Sequence, residues 1–269
     1  MIFHSNDNIP LYFELRGSGP PLLLIAGLAS DSRSWLSVVD ALAESYTLIM
    51  PDNRGVGRSC QECPTSVELM ADDCHALVRH LGLEKVSLLG HSLGGMIAIS
   101  YACRYPGSLD KLILAATSPR NSPRNNLLFS DLASACSADR DRAAWFRSIF
   151  TWIFTEQFFE DRQVVDGAVR YLLEDPWPQS PQAFRRQIEA IAAWDGTAEL
   201  AGITAPTCVI AGDRDLLFPL EYSARLTRQI PGASLKVIDG GAHSIHTERP
   251  DEFVRSVREF MAETAFPSV

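Results

Sequence analysis

Short apolar runs alternate along the chain with longer segments that have helical periodicity. The first run, LYFEL (Leu11 to Leu15), alternates apolar and polar positions, as a strand with one buried face does. The later runs are almost continuously apolar, which is typical of strands buried on both faces of a parallel sheet. They are PLLLIAG, YTLIMPD, VSLLG, KLILAAT, TCVIAGD and SLKVIDG. The alternation predicts an α/β fold with a doubly wound, mostly parallel sheet.

Two of the intervening segments carry helix signals. The segment from Thr65 to Leu81 opens with a capping box, Thr65-x-x-Glu68, and then places apolar side chains along one side. The last helix is predicted to begin at Pro250, with acidic residues near its positive end. Both helices should cover the sheet with one apolar face.

The strand rhythm stops in the middle of the chain and resumes near Thr207. The intervening stretch shows helical patterns and many aromatic residues. We therefore predict a core domain of residues 1–120 and 198–269, with a helical cap of residues 121–197 inserted between two strands.

Aromatic residues of the cap suggest an apolar roof over a pocket. We expect Trp145 and Trp152 of the cap, together with Phe218 of the core, to line that pocket. Most of the other rings should pack the helices together. Arg120 and Arg124, at the entrance to the cap, could meet an anionic substrate, although exposed arginines are usually only solvated.

Composition excludes several classes of protein. The chain has 269 residues, of which 46% are hydrophobic, so it can form a large core. Its formal net charge of -9 argues against sequence-independent nucleic-acid binding, which needs a basic face. The N-terminus lacks the pattern of a secretory signal, and the apolar runs are too short to span a bilayer. We expect a cytoplasmic protein with no stable membrane insertion.

The serine of Gly90-His91-Ser92-Leu93-Gly94 fits G-x-S-x-G. It lies between a buried run and a helical pattern, which is the strand-turn-helix context that makes this motif a nucleophile elbow. His91 is a poor base for Ser92, because adjacent residues of an extended segment point to opposite faces. We expect His91 to be packed and hydrogen-bonded.

A serine nucleophile needs a base and an orienting acid from elsewhere in the chain. DGGAHSIHTERPDEF follows the last predicted strand and offers two histidines, of which we favour His243 over His246 from its place in the loop. VIAGDRDLLFP offers two aspartates, and Asp215 lies deeper in its loop than Asp213, which could cap the turn. The order Ser92, Asp215, His243 is the nucleophile, acid and base order of α/β-hydrolases.

Four motifs together resemble the α/β-hydrolase fold family over nearly the whole chain. PDNRGVGRS resembles the family's D-x-R-G-x-G-x-S loop, and GHSLGGM its nucleophile elbow. GDRDLLFP resembles the G-x-x-D-x-x-x-P acid loop, and GGAHSIHTERPDEF the G-x-x-H base loop followed by E-x-P-x-x-F. The resemblance implies a catalytic triad of Ser92, Asp215 and His243, and a cap where the helical insertion lies.

The resemblance also implies an oxyanion hole formed by the backbone N–H groups of Leu28 and Leu93. Many relatives have His-Gly after the third strand, whereas this chain has Ala26-Gly27-Leu28. Backbone donors survive such a side-chain change. The spacing Leu28, Asp31, Trp35 is similar to that of 3-oxoadipate enol-lactonases, which also lack the His-Gly pair.

These features predict a serine hydrolase that cleaves a carboxylic ester or lactone through an acyl-enzyme. The alternatives are an enol-lactonase, a C–C bond hydrolase with the same triad, or a non-catalytic ligand receptor of the same fold. The expected partner is a small molecule with an apolar portion. No metal or cofactor is expected, because Cys60-x-x-Cys63 lacks a second pair at zinc-site spacing. The oligomeric state, and any role of these two cysteines, remain open.

Overall fold

The computed structural model describes residues 1–136 and 141–263 of the chain. The strands within them are β1 (Ile2–His4), β2 (Pro10–Arg16), β3 (Pro21–Ile25), β4 (Thr47–Pro51), β5 (Val86–His91), β6 (Leu109–Ala115), β7 (Thr207–Gly212) and β8 (Ser234–Ile238). They form one sheet in the order β1-β2-β4-β3-β5-β6-β7-β8. The pairs β1–β2 and β2–β4 are antiparallel and all later pairs are parallel.

Helices connect the strands and cover both faces of the sheet. They are α1 (Val39–Ala43), α2 (Val67–His80), α3 (Leu93–Arg104), α4 (Pro123–Ala135), α5 (Arg142–Ile153), α6 (Glu156–Glu160), α7 (Arg162–Leu173), α8 (Pro181–Ala193), α9 (Leu220–Gln229), α10 (Ile245–Glu248) and α11 (Pro250–Ala262). Short 3₁₀ turns occupy Ser32–Trp35, Pro106–Ser108 and Thr197–Gly202.

The sheet separates two apolar layers because successive side chains of a strand point to opposite faces. Leu23 and Ile25 of β3 belong to the layer that contains the inner faces of α2 and α3. Leu22 and Leu24 belong to the layer that contains α1 and α11. The predicted doubly wound sheet is therefore confirmed, as is the start of α11 at Pro250.

Two local predictions were wrong. The first turn of α2 is capped by Ser66, whose hydroxyl accepts a hydrogen bond from the Leu69 N–H at 3.1 Å, and Thr65 is not the cap. The two residues are adjacent and both are good caps, so the pattern alone chose the wrong one. The last apolar run, which forms β8, is not buried on both faces, because β8 is the edge strand and its Val237 is exposed.

Helices α4 to α8 lie between β6 and β7, and we call them the helical insertion. Phe129 of α4 and Phe184 of α8 join the main apolar layer above the sheet. Phe150, Val165 and Val169 form a separate small cluster among α5 and α7. Helices α4 and α8 of the insertion thus pack against the core, whereas α5 and α7 pack against each other.

No helix within residues 1–136 and 141–263 combines the length with the apolar composition needed to cross a bilayer.

Candidate active site

Ser92 lies at the sharp turn between β5 and α3. Its backbone has φ 55° and ψ -118°, a conformation that side-chain-bearing residues rarely adopt. The turn requires glycine at two neighbouring positions. A Cβ on Gly90 would collide with the Gly94 carbonyl, and a Cβ on Gly94 would collide with the Ile25 carbonyl. The flanking glycines therefore permit the close approach of strand, helix and β3 that presents the Ser92 hydroxyl.

The structure brings His243 from the loop after β8 to the Ser92 hydroxyl. The Nε2 atom of His243 lies 3.0 Å from Ser92 Oγ, and its Nδ1 atom lies 3.0 Å from Asp215 Oδ2. All three side chains are buried. Because a carboxylate only accepts hydrogen bonds, Nδ1 of His243 carries the proton and Nε2 is free to accept one from the hydroxyl.

Asp215 is held in place by the loop that follows β7. Its Oδ1 atom accepts hydrogen bonds from the backbone N–H groups of Leu217 and Phe218, at 2.8 and 2.9 Å. Asp213 instead joins two loops, since its Oδ1 accepts from the Gly240 N–H at 2.7 Å and so ties the loop after β7 to the loop after β8. The geometry thus joins Ser92 with the favoured aspartate and the favoured histidine.

His91 and His246 lie behind the His243 ring. The His91 Nε2 atom donates to the backbone carbonyl of His243 at 2.8 Å, and the centroid of its ring lies 4.6 Å from that of His246. Burial holds the pKa of His91 well below its usual range, and the neighbouring His246 and His243 act in the same direction. Burial, followed by His243, lowers the pKa of His246 to about 4. Both imidazoles are therefore neutral packing groups near pH 7.

A tight turn at residues 27–30 faces the serine from the end of β3. The Ser30 N–H donates to the Gly27 carbonyl at 3.3 Å, so Leu28 and Ala29 are the central residues of the turn. A Cβ on Gly27 would lie 3.3 Å from the Ser92 Cβ, which shows how close the turn is to the hydroxyl. Leu93, the other predicted oxyanion donor, is the first residue of α3.

A cavity of about 120 Å³ separates Ser92 from the helical insertion. Besides Ser92 and His243, it is lined mainly by apolar side chains. These include Leu28, Leu128, Phe129, Leu132, Ile149, Trp152, Ile153, Phe184 and Leu217. No side chain with a formal charge is among the described lining residues.

The three aromatic residues predicted for the pocket have different positions. Trp152 lines the cavity. Trp145 packs against Phe184, with its Nε1–H donating to the Leu132 carbonyl at 3.0 Å, and is not among the lining residues. Phe218 is also outside the lining, because its ring stacks on His243 with centroids 5.6 Å apart.

The two arginines at the start of the insertion do not reach the cavity lining. Arg120 lies 3.5 Å from Asp195, and Arg124 donates to the Leu216 carbonyl. Both guanidinium groups are thus engaged outside the pocket.

Sequence reasoning missed Glu248, which links the base loop to the insertion. Its carboxylate accepts from the Thr155 N–H at 2.9 Å and the Thr155 hydroxyl at 2.7 Å, and also from the Ala242 N–H at 3.1 Å. The E-x-P motif contained this residue but did not reveal its partners. Ser244 adds a second link through its N–H, which donates to the Ile153 carbonyl at 3.0 Å.

The loop after β4 is fixed by a buried arginine. Arg54 is only 1% exposed and pairs with Asp73 and Asp7. Burial raises the pKa of Asp73, whereas the Arg54 hydrogen bond lowers the pKa of the more exposed Asp7 to about 2. Asp52 accepts from the Ser32 and Arg58 N–H groups, each at 2.9 Å. The D-x-R-G-x-G-x-S motif is thus a support for the adjoining loops.

The cysteine pair lies in the same loop region. The Cys63 thiol donates to the Cys60 carbonyl at 3.2 Å. In the part of the chain that the structure describes, no three His, Cys, Asp or Glu side chains are grouped as a metal site.

Comparison with known proteins defines the family. The family model for the alpha/beta hydrolase fold matches residues 20–250, so the chain belongs to the alpha/beta hydrolase fold family. A relative from Agrobacterium fabrum, "Putative carbamate hydrolase RutD", is 30% identical over 93% of this chain and 98% of its own length.

Solved structures agree on the fold. A thermophilic esterase from Thermogutta terrifontis is 28% identical with a TM-score of 0.85, and 97% of each chain is covered. The enol-lactonase from Burkholderia xenovorans LB400 has a TM-score of 0.86 at 24% identity, with 98% of this chain and 100% of that one covered. The latter likeness concerns the fold alone.

Proposed function

We propose that the protein is a serine hydrolase that cleaves small, uncharged carboxylic esters or lactones through an acyl-enzyme on Ser92. One observation carries the proposal: a single imidazole, His243, lies 3.0 Å from both the Ser92 hydroxyl and the Asp215 carboxylate. A serine, histidine and aspartate linked in this way can activate the serine hydroxyl, which is a weak nucleophile on its own.

The proposed reaction has two halves. His243 Nε2 takes the Ser92 proton as Oγ attacks the substrate carbonyl, and the imidazolium then protonates the leaving alcohol. Water, deprotonated by the same nitrogen, attacks the acyl-enzyme and releases the carboxylic acid. Asp215 keeps the His243 proton on Nδ1 and stabilises the positive charge that forms on the ring.

The negative charge on the carbonyl oxygen needs donors. We propose the backbone N–H groups of Leu28 and Leu93 for this role. Leu93 begins α3, where the first N–H groups of a helix have no intrahelical partner. Leu28 lines the cavity that Ser92 also lines. One such donor is typically worth about 10² to 10³ in rate.

The cavity supports a restricted substrate class. Its lining is mainly apolar and carries no formal charge among the described residues, so a charged acyl group would lose its hydration without compensation. We therefore propose a short, uncharged acyl portion with apolar character. The helical insertion would act as the cap that encloses it.

Carbamate cleavage is a second candidate. It is favoured by the 30% identity, over almost the full length of both chains, to the Agrobacterium fabrum protein. A carbamate carbonyl could be attacked by the same serine. The name of the Thermogutta terrifontis relative points instead to esters.

The proposal is tested with a panel of p-nitrophenyl esters of increasing acyl length, lactones and carbamate esters. Wild type should turn over the short neutral esters or lactones, and Ser92→Ala should be inactive. A fluorophosphonate probe should label wild type and not Ser92→Ala. A folded wild-type protein that is neither labelled nor active would favour a non-catalytic receptor, and preferential turnover of carbamates would favour the second candidate.

A further inference from the structure

The turn that carries Leu28 has an unfavourable backbone. Ala29 is its third residue and has φ 57°, in the left-handed region that favours glycine. A residue other than glycine persists there only when its surroundings hold it. An isolated turn with alanine at this position would favour a negative φ and would rotate the Leu28–Ala29 peptide.

One side chain from the helical insertion holds that peptide. Gln187 of α8 is fully buried, and its Oε1 atom accepts the Ala29 N–H at 3.2 Å. The same Oε1 accepts from Gln179 Nε2 at 3.0 Å. Its Nε2 atom donates to the Arg54 carbonyl at 2.8 Å. Both ends of the Gln187 amide are therefore engaged, and its orientation is fixed.

Two of the three partners of Gln187, Ala29 and Arg54, belong to the core, and the third, Gln179, belongs to the helical insertion. Arg54 is anchored through its buried ion pairs, and Ala29 follows directly on Leu28. A buried amide fixed at one end can resist rotation of the peptide at its other end. Without the glutamine oxygen, the Ala29 N–H would lose this restraint, and the backbone could rotate toward the negative φ that alanine prefers.

We propose that Gln187 is a positioning residue: it keeps the Leu28–Ala29 peptide from rotating and so holds the turn of residues 27–30, with the backbone that carries the Leu28 N–H, in place beside Ser92. This inference rests on the proposed function. It links the helical insertion to the chemical step, since the insertion then shapes the oxyanion hole as well as the pocket.

The first variant is Gln187→Met, which preserves side-chain length and removes all three hydrogen bonds of the Gln187 amide. It should lower kcat for a p-nitrophenyl ester by about tenfold or more, because a displaced oxyanion donor loses much of its effect. KM should change much less than kcat, since the Gln187 side chain is itself outside the cavity lining. Gln182→Met, an exposed glutamine on the same helix, is the control and should behave as wild type.

A second substitution separates positioning from general damage. Ala29→Gly removes the backbone strain, because glycine adopts a positive φ readily. In the Gln187→Met background it should restore most of the lost kcat, measured against Ala29→Gly alone. Gln187→Glu keeps an oxygen acceptor for the Ala29 N–H and should retain more kcat than Gln187→Met. If Gln187→Met does not fold, Gln187→Leu, which also removes the acceptor, provides the same comparison with and without Ala29→Gly.

Hydrogen exchange gives a readout independent of turnover. The peptide that covers residues 27–30 should exchange faster in Gln187→Met and return toward wild type in the double variant. The inference is overturned if folded Gln187→Met keeps wild-type kcat and exchange, or if Ala29→Gly restores neither. An inactive wild-type enzyme would refute the proposed function instead, and the exchange result would still decide whether Gln187 holds the turn.

Discussion

His91 and Ser92 contact the same histidine at two different places. The His91 ring donates to the His243 backbone carbonyl at 2.8 Å, whereas the Ser92 hydroxyl lies 3.0 Å from the His243 ring. One of these two adjacent residues therefore holds the loop through its backbone, and the other contacts the imidazole ring of that loop.

This division predicts different losses. Ser92→Ala should abolish turnover and labelling while the protein remains folded. His91→Ala should mainly lower the free energy of unfolding, by about 1–3 kcal/mol, because it leaves the buried His243 carbonyl without its donor. Urea denaturation and ester kinetics on both variants provide the check. Equal loss of kcat in both, with full stability in both, would contradict it.

The two aspartates of the acid loop should also differ. Asp215→Asn can still accept the Leu217 and Phe218 N–H groups, but its amide can favour the wrong tautomer of His243. We expect kcat to fall by about 10⁴ with the fold intact, as a triad acid changed to its amide does. Asp213→Asn, which keeps an acceptor for the Gly240 N–H, should retain most activity. Comparable kcat values for the two variants would argue against the assignment of Asp215.

Two arginine pairs should differ in their effect on stability. Arg54→Met leaves the buried Asp73 uncompensated and should lower the free energy of unfolding by about 3–5 kcal/mol. Arg104 makes a similar bidentate pair with Asp72, but its side chain is 42% exposed. Arg104→Met should therefore cost about 1 kcal/mol or less. Chemical denaturation of both variants measures the contrast, and similar losses would show that burial is not decisive here.

Stability should fall as the pH drops from about 6.5 toward 4. Burial lowers the pKa of His246 to about 4, so the unfolded chain takes up this proton at a higher pH than the folded one does. The contribution is complete above about pH 6.5 and is lost on acidification, by about 1.4 kcal/mol per pH unit at the steepest. The lowered pKa of His91 acts in the same direction.

Replacing His246 with an uncharged ring isolates this contribution. His246→Phe should lose less stability between pH 7 and pH 5 than wild type does, as measured by urea denaturation at both pH values. An identical loss in the two proteins would mean that His246 does not titrate as described. The comparison of two proteins removes the contribution of carboxylates common to both.

Trp152 should limit the size of the acyl group. Its ring lines the cavity, so Trp152→Ala should enlarge it and move the preferred p-nitrophenyl ester toward longer acyl chains. The ratio of kcat/KM for octanoate over butyrate should rise about tenfold or more, since burying even two of the four additional methylenes, at about 0.8 kcal/mol each, is worth about 1.6 kcal/mol. Trp177→Ala, a 40% exposed tryptophan outside the cavity lining, is the control. If the octanoate-to-butyrate ratio is unchanged in Trp152→Ala, the Trp152 ring does not limit the length of the acyl group.

Local pattern and chain order were enough to predict most of the sheet. Continuous apolar runs identify strands buried on both faces, and they correctly marked the central ones. β1 was missed because three residues are too few for a periodic signal. Ser92, Asp215 and His243 could be selected because each lies just after a recognisable strand, where parallel strands bring their carboxyl ends together.

The supporting contacts could not be predicted in the same way. Gln187 and Glu248 act on backbone N–H and carbonyl groups of Ala29, Arg54 and Ala242. Every residue has such groups, so side-chain identity gives no clue to which one is the partner. Only the packing of the helical insertion against the core decides that.

The order of the site along the chain has a consequence for synthesis on the ribosome. Leu28 and Ser92 precede the helical insertion, whereas Asp215 and His243 follow it. A nascent chain that has completed the elbow still lacks the imidazole that would activate its serine. With the triad proposed above, the growing polypeptide carries an inert hydroxyl until the loop after β8 leaves the exit tunnel, and acyl transfer begins only after the edge strand β8 has joined the sheet.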